Sequence, residues 1–245
     1  MPTIPVVVAA VFCATLVRSA LGFGEALIAV PLMAFVLPVA IAAPVAVLVS
    51  ITVALVVLIG DWRDVHVRSV GWLVAFTLLG IPFGLLALRM CPESIVKGVL
   101  GLVVAIFAVF ALWRRQGAQL TDDRFAWLFG LAAGVLGGAY GMNGPPLVVY
   151  GSMRRWPPQR FRASLQGYFL PASLVGMFGY WAAGLWTPRV NYYFAIALPA
   201  VLLAIPIGRA IAARLDPRRF ALVVHAGLLA SGVGLVLQAI VSWNG

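Results

Sequence analysis

Apolar runs of about twenty residues recur along this chain, separated by short charged turns: Ile41–Gly60, Val70–Leu88, Ser94–Trp113, Ala163–Gly184, Val190–Ala213 and Phe220–Trp243. A helix rises about 1.5 Å per residue, so each run matches the ~30 Å hydrocarbon core of a bilayer. Of 245 residues, 63% are hydrophobic and 10% charged, and the mean hydropathy of +1.06 lies far outside the range of soluble domains. The expected fold is an all-α polytopic membrane protein with too little loop for a separate soluble domain.

The formal net charge of +10 does not point to nucleic acid, because the cations stand in short turns and form no continuous patch. Cys13 lies in an apolar segment and Cys91 in a turn, which gives neither a metal spacing nor a disulfide framework. Cys13 reads as a small packing residue. No metal site and no cofactor are expected, and no signal peptide is recognised. His66 and His225 are the two histidines, and no nucleophile–base spacing accompanies them, so an intramembrane enzyme finds no support.

The chain contains two copies of one unit. "ALGFGEALIAV" from Ala20 aligns with "AYGMNGPPLVV" from Ala139, superposing Gly22 on Gly141. "GIPFG" at Gly80–Gly84 recurs as "AIPIG" at Ala204–Gly208, each followed by a proline turn and a final apolar helix. The copies are expected at residues 1–116 and 117–245. Each reads as a short, broken helix pair followed by three full-length helices. The pairs are Ile4–Leu21 with Ala26–Leu37, and Phe125–Tyr140 with Pro146–Met153. Gly80, Gly84 and Gly208 are expected to permit close helix packing.

Charge chooses the topology. If each short pair enters and leaves on one side, the inner turns collect Arg63, Arg68, Arg114, Arg115, Arg124, Arg154, Arg155, Arg160, Arg162, Arg209, Arg214, Arg218 and Arg219. The outer turns then keep Arg89, Lys97 and Arg189. The positive-inside rule favours this arrangement of re-entrant pairs with both termini outside. Three crossings between the pairs give the halves opposite orientation. Inverted repeats with helices broken near the midplane are a signature of secondary transporters.

The breaks carry the polar residues. Gly22 and Gly24 permit a turn, Asn143 is placed to cap the next helix, and Pro145 suits its first turn. Each following helix turns its N-terminus toward the membrane centre, which suits an anion. Arg18 adds a full intramembrane charge whose planar fork fits an oxyanion. Two roles fit Arg18: substrate contact, or an ion pair with Glu25 that holds the hairpin shut. Glu25 is also a candidate proton carrier. The candidate substrate-binding set is Arg18, Ser19, Gly22, Phe23, Gly24, Glu25, Gly141, Met142, Asn143, Gly144, Pro145 and Gln166. Ser50, Thr52, Ser164 and Ser173 share the helices after the hairpins, where hydroxyls commonly bond neighbouring helices.

"GFGEALIAVPLM" at Gly22–Met33, "GGAYGMNGPPLVVY" at Gly137–Tyr150 and the repeated "IPFG" and "IPIG" resemble the TauE/SafE family of sulfite exporters, the TSUP transporters. The resemblance covers both repeats. It implies a bacterial inner-membrane permease for sulfite, organosulfonates or related small anions. Glu25 and Asn143 depart from the small residues associated with those places, and both fall at the inferred tips.

The reading is therefore an alternating-access carrier of small anions with a midplane site between the two tips, coupled to protons if Glu25 titrates. An anion channel and a non-transporting membrane assembly or scaffold protein are the alternatives. A scaffold would lack a ligand-sized cavity between Gly22–Glu25 and Gly141–Pro145, and saturable, exchange-stimulated flux would separate a carrier from a channel.

Overall fold

The computed structural model describes residues 3–61, 66–113, 119–212 and 217–244. They form ten helices: α1 Thr3–Leu21, α2 Glu25–Ala34, α3 Val39–Asp61, α4 Val67–Met90, α5 Glu93–Trp113, α6 Ala126–Tyr140, α7 Gly144–Met153, α8 Pro158–Ala182, α9 Pro188–Ala212 and α10 Pro217–Asn244. Arg63, Arg114, Arg115 and Arg214, together with the expected boundary between residues 116 and 117, lie outside the described residues.

Among the described residues six helices are long and apolar enough to cross a membrane: α1, α3, α4, α5, α9 and α10. Two expectations change. The helix α1 has 19 residues, or about 28 Å, so it is not a short member of a broken pair. Conversely α8, at 25 residues, is long enough but is not among the six. Its run is diluted by Ser164, Gln166 and Ser173, all buried inside the protein. Phe83, Leu86, Ile106, Leu203, Val223 and Val241 stand exposed on α4, α5, α9 and α10. Such an apolar exterior suits contact with lipid. Cys13, expected to be packed, also faces outward.

Between the halves, α1 packs on α9, α6 on α4, α3 on α8, α5 on α10, α3 on α9 and α8 on α4. Exchanging each helix for its expected counterpart leaves these pairings unchanged, whereas the contacts of α2 with α10 and of α3 with α6 have no counterpart of like extent. The closest approach is α4 against α6, where backbones touch. A Cβ on Gly80 would lie 2.3 Å from Leu131 O, and one on Gly84 would lie 2.0 Å from Val135 O. Gly134 and Gly138 meet α4 in the same way, a stripe of small residues of the kind that lets membrane helices touch. Gly208 of α9 does the same against Leu16 O of α1, at 2.6 Å. The two copies of the glycine motif thus serve equivalent contacts.

The start of α4, the segment 119–125 and the connection from α7 into the start of α8 meet on one side of the bundle. Asp123 Oδ1 accepts hydrogen bonds from Ser69 Oγ (2.7 Å) and Tyr150 OH (2.6 Å) and pairs with Arg154 Nη2 at 3.4 Å. Leu120 N donates to Met153 O at 2.9 Å, and His66 N donates to Ser164 Oγ at 3.0 Å. The end of α7 therefore lies beside the start of α6.

Burial works against ionising Asp123, but the bonds from Tyr150 and Ser69 and the charges of Arg154 and His66 outweigh it. They hold the carboxyl below its ordinary value of 3.8. The depressed value means that this cluster stabilises the fold fully above the ordinary carboxylate range and loses that contribution as pH falls through the folded value. Melting midpoints of the detergent-solubilised protein should therefore drop more steeply below about pH 4 than those of Asp123→Asn. Parallel acid profiles would remove Asp123 from this role.

Candidate functional site

The chain breaks twice, once in each half. Gly22 and Gly24 have φ of +87° and +98°, and Gly141 has φ of +63°, backbone that favours glycine. Gly24 is the residue before α2, and Gly141 ends α6. Pro145 lies in the first turn of α7 as expected, where its missing N–H costs nothing. Asn143 occupies the capping position but makes no capping hydrogen bond. Its Oδ1 instead lies against Gly137, with no hydrogen-bond partner among the described residues.

Arg18, in the last turn of α1, is 2% exposed. Its Nη1 donates to Glu25 Oε2, to Ser50 Oγ at 2.6 Å and to Ser50 O at 3.3 Å. Its Nη2 donates to Gln166 Oε1 at 2.9 Å. Gln166 Nε2 in turn donates to Gly22 O at 2.8 Å, and the guanidinium carbon lies 5.0 Å from the centre of the Phe169 ring. One arginine thus gathers α1, α2, α3 and α8. Glu25 is 3% exposed, so this is a fully buried ion pair, and its desolvation is offset only by good geometry and further hydrogen bonds. Arg18 Nε and Glu25 Oε1 have no hydrogen-bond partner among the described residues, an expensive state for buried polar atoms.

Beside this pair lies a cavity of about 20 Å³ lined by Arg18, Gly24–Leu27, Ser50, Gly141–Gly144, Phe169 and Ser173. The first turns of α2 and α7 both border it; α2 brings the unpaired N–H groups of Glu25, Ala26 and Leu27, whereas Pro145 and Pro146 have no N–H and leave α7 that of Gly144. The volume suits about one water, so as it stands the cavity is too small for an oxyanion.

Of the sequence-derived set, Arg18, Gly24, Glu25, Gly141, Met142, Asn143 and Gly144 line the cavity. Gly22 and Gln166 join it through hydrogen bonds. Three positions stand away from the lining. Ser19 is buried, with its Cβ close to where a Gly208 Cβ would lie. Phe23 packs edge-to-face on Phe161, with ring centres 6.2 Å apart. Pro145 serves the first turn of α7. Ala26, Leu27, Ser50, Phe169 and Ser173 are the additions. Ser50 and Ser173 were expected only to bond neighbouring helices, and their Oγ atoms do lie 3.4 Å apart. Thr52 bonds its own helix at Leu48 O, and Ser164 holds His66. Among the described residues no group of His, Cys, Asp and Glu could hold a metal ion.

Among the described residues ten helices, six of them long and apolar enough to span, with two chain breaks beside a buried arginine, define a multi-pass membrane protein with a polar site in its interior. The chain belongs to the sulfite exporter TauE/SafE family, which it matches over residues 7–235, and this is a family of transporters, not enzymes. A relative from Cupriavidus necator, named probable sulfite/organosulfonate exporter TauE, is 28% identical over 188 residues, covering 75% of this chain and 71% of that protein. No solved structure gives a significant match.

Proposed function

We propose that this protein is a secondary transporter of small oxyanions, sulfite or an organosulfonate, in a bacterial inner membrane. The observation that carries the reading is Arg18, buried where both chain breaks meet, its fork held among Glu25, Ser50 and Gln166. The family and the named relative support the substrate class. The matching of α1 on α9 with α6 on α4, and of α3 on α9 with α8 on α4, supports a repeat, and the cationic turns favour its inversion. The closed base of the α6–α7 hairpin, where Leu120 N meets Met153 O, favours a re-entrant pair. With the cationic turns inside, both termini face outward.

A cavity this small is what the scaffold alternative called for; on the transport reading it is that of a closed state. For an anion to reach Arg18, the carboxylate of Glu25 must give up its place, and protonation of Glu25 removes the competitor. Neutral Glu25 can then donate to the anion while Arg18 and the helix N-termini hold its charge. Anion and proton accordingly bind together and cross together.

The test is sulfite flux in proteoliposomes at alkaline pH, where little of the substrate is neutral and membrane-permeant. Saturable flux stimulated by sulfite on the opposite side is expected for a carrier. Flux that never saturates would indicate a channel, and no flux of sulfite, sulfonates or carboxylates would indicate a non-transporting assembly. Glu25→Gln is expected to retain exchange but lose its acceleration by an imposed pH gradient. A full gradient response in that variant would exclude Glu25 as the proton carrier.

A further inference from the structure

Arg162, Gln166, Phe169 and Ser173 fall at helical spacing on one face of α8. Three of these touch the site: Gln166 bonds Arg18, Phe169 lies over its guanidinium, and Ser173 lines the cavity. The fourth is a cation. Its side chain lies across the first chain break, for a Cβ on Gly22 would meet Arg162 Cγ at 3.0 Å and Nε at 3.3 Å. Arg162 is exposed whereas Gln166 is 2% exposed. The same face therefore runs from solvent-accessible charge to the buried pair within about one helical turn, or ~6 Å of rise.

The far end of this stripe is sealed. Met177 and Tyr180 are buried, and Tyr180 OH donates to Gly137 O at 3.0 Å, tying α8 to the second hairpin. At the Arg162 end the half-buried rings of Phe23 and Phe161 meet edge-to-face. They join the first break to the start of α8, and one turn deeper Gln166 Nε2 makes a second tie, to Gly22 O at 2.8 Å. Parting the rings costs less than breaking that buried polar tie, so the rings open first.

We propose that Arg162 is the capture station of the anion path, receiving substrate at the mouth before the Phe23–Phe161 pair parts and the anion passes to Arg18. This rests on the transport reading above and adds to it a second cationic site and the side from which the site is approached, the side of the cationic turns. A cation at the mouth raises the local concentration of anions and speeds their arrival, an effect that salt screens. It has no part in holding the anion at Arg18.

The experiment measures sulfite flux in proteoliposomes for the unaltered protein, Arg162→Lys, Arg162→Gln, Arg162→Glu and Arg160→Gln at low and high ionic strength. Arg160 is also exposed but, two residues away, points to another face, so it controls for net charge. Expected are a KM raised about 3- to 10-fold in Arg162→Gln and further in Arg162→Glu, with kcat within about twofold, and a near-normal KM in Arg162→Lys and Arg160→Gln. In the unaltered protein KM should rise with salt toward the Arg162→Gln value, a result independent of how any variant folds. Equal KM in Arg162→Gln and Arg160→Gln, a fall in kcat at unchanged KM, or a KM indifferent to salt would overturn the capture role while leaving the transporter. Absence of any anion flux in the unaltered protein would overturn the transport reading and this inference with it.

Discussion

Arg18→Gln is expected to abolish anion transport and to destabilise the protein, and the two effects are separable. In the native site Arg18 neutralises Glu25 and donates to Ser50 and Gln166. Glutamine leaves the Glu25 carboxylate buried without a counter-charge, a defect worth about 3–5 kcal/mol in buried ion pairs. Part of that loss returns if Glu25 takes up a proton. The double variant Arg18→Gln, Glu25→Gln removes both charges and should regain much of the melting midpoint lost by the single variant. It should still not transport. Losing a buried cation that contacts the anion costs about 3 kcal/mol or more, roughly a 100-fold fall in flux. Melting curves in detergent beside flux in proteoliposomes would check both halves of the expectation. If Arg18→Gln transports within about threefold of the unaltered protein, Arg18 only locks the hairpin.

The second large effect is mechanical. Gly84→Ala is expected to force α4 and α6 apart, because the added Cβ would sit 2.0 Å from Val135 O and 2.6 Å from Ala139 N. Both are backbone atoms of α6, so no side chain can move aside. The helices must separate by about 1 Å or more, and the shift spreads to Gly80, Gly134 and Gly138 and to the bond from Thr77 Oγ1 to Gly130 O. Overpacking of this kind costs about 3 kcal/mol, a drop in melting midpoint of roughly 6–12 °C for a chain of this length. Gly176→Ala on α8 is the control: its Cβ would meet nothing within 4 Å, and alanine favours a helix by about 1 kcal/mol over glycine. A Gly84→Ala midpoint within about 2 °C of the unaltered protein would show that the interface yields.

Features that break a pattern were legible from residues alone. Gly22, Gly24, Gly141 and Pro145 interrupt apolar runs, and a charged pair at Arg18 and Glu25 is conspicuous inside them. The repeated glycine motif pointed to close contacts that Gly84 and Gly208 do make. Ser50 and Ser173 line the cavity but were left out of the candidate set because neither stands at a chain break. Which face of α3 or α8 turns toward the breaks is decided by packing, and a serine on an apolar helix reads the same on either face. Phe169 was overlooked for a related reason, since an aromatic in a membrane helix is unremarkable until a guanidinium lies beneath it. The capping expectation for Asn143 failed because the αL turn at Gly141 brings its side chain back against Gly137. The helix α1 was taken as short because a break follows it, although Gly22 marks where the helix ends and says nothing of its length.

The partners of Arg18 are unevenly spaced along the chain: Glu25 is seven residues away, Ser50 thirty-two and Gln166 one hundred and forty-eight. A ribosome delivers them in that order at about 5–20 residues per second. When α1 first enters the bilayer, Glu25 emerges within about a second to offset the charge, whereas Gln166 follows many seconds later. Of the three partners Glu25 is therefore the one made soonest after Arg18, before the half of the protein that encloses the pair has been synthesised.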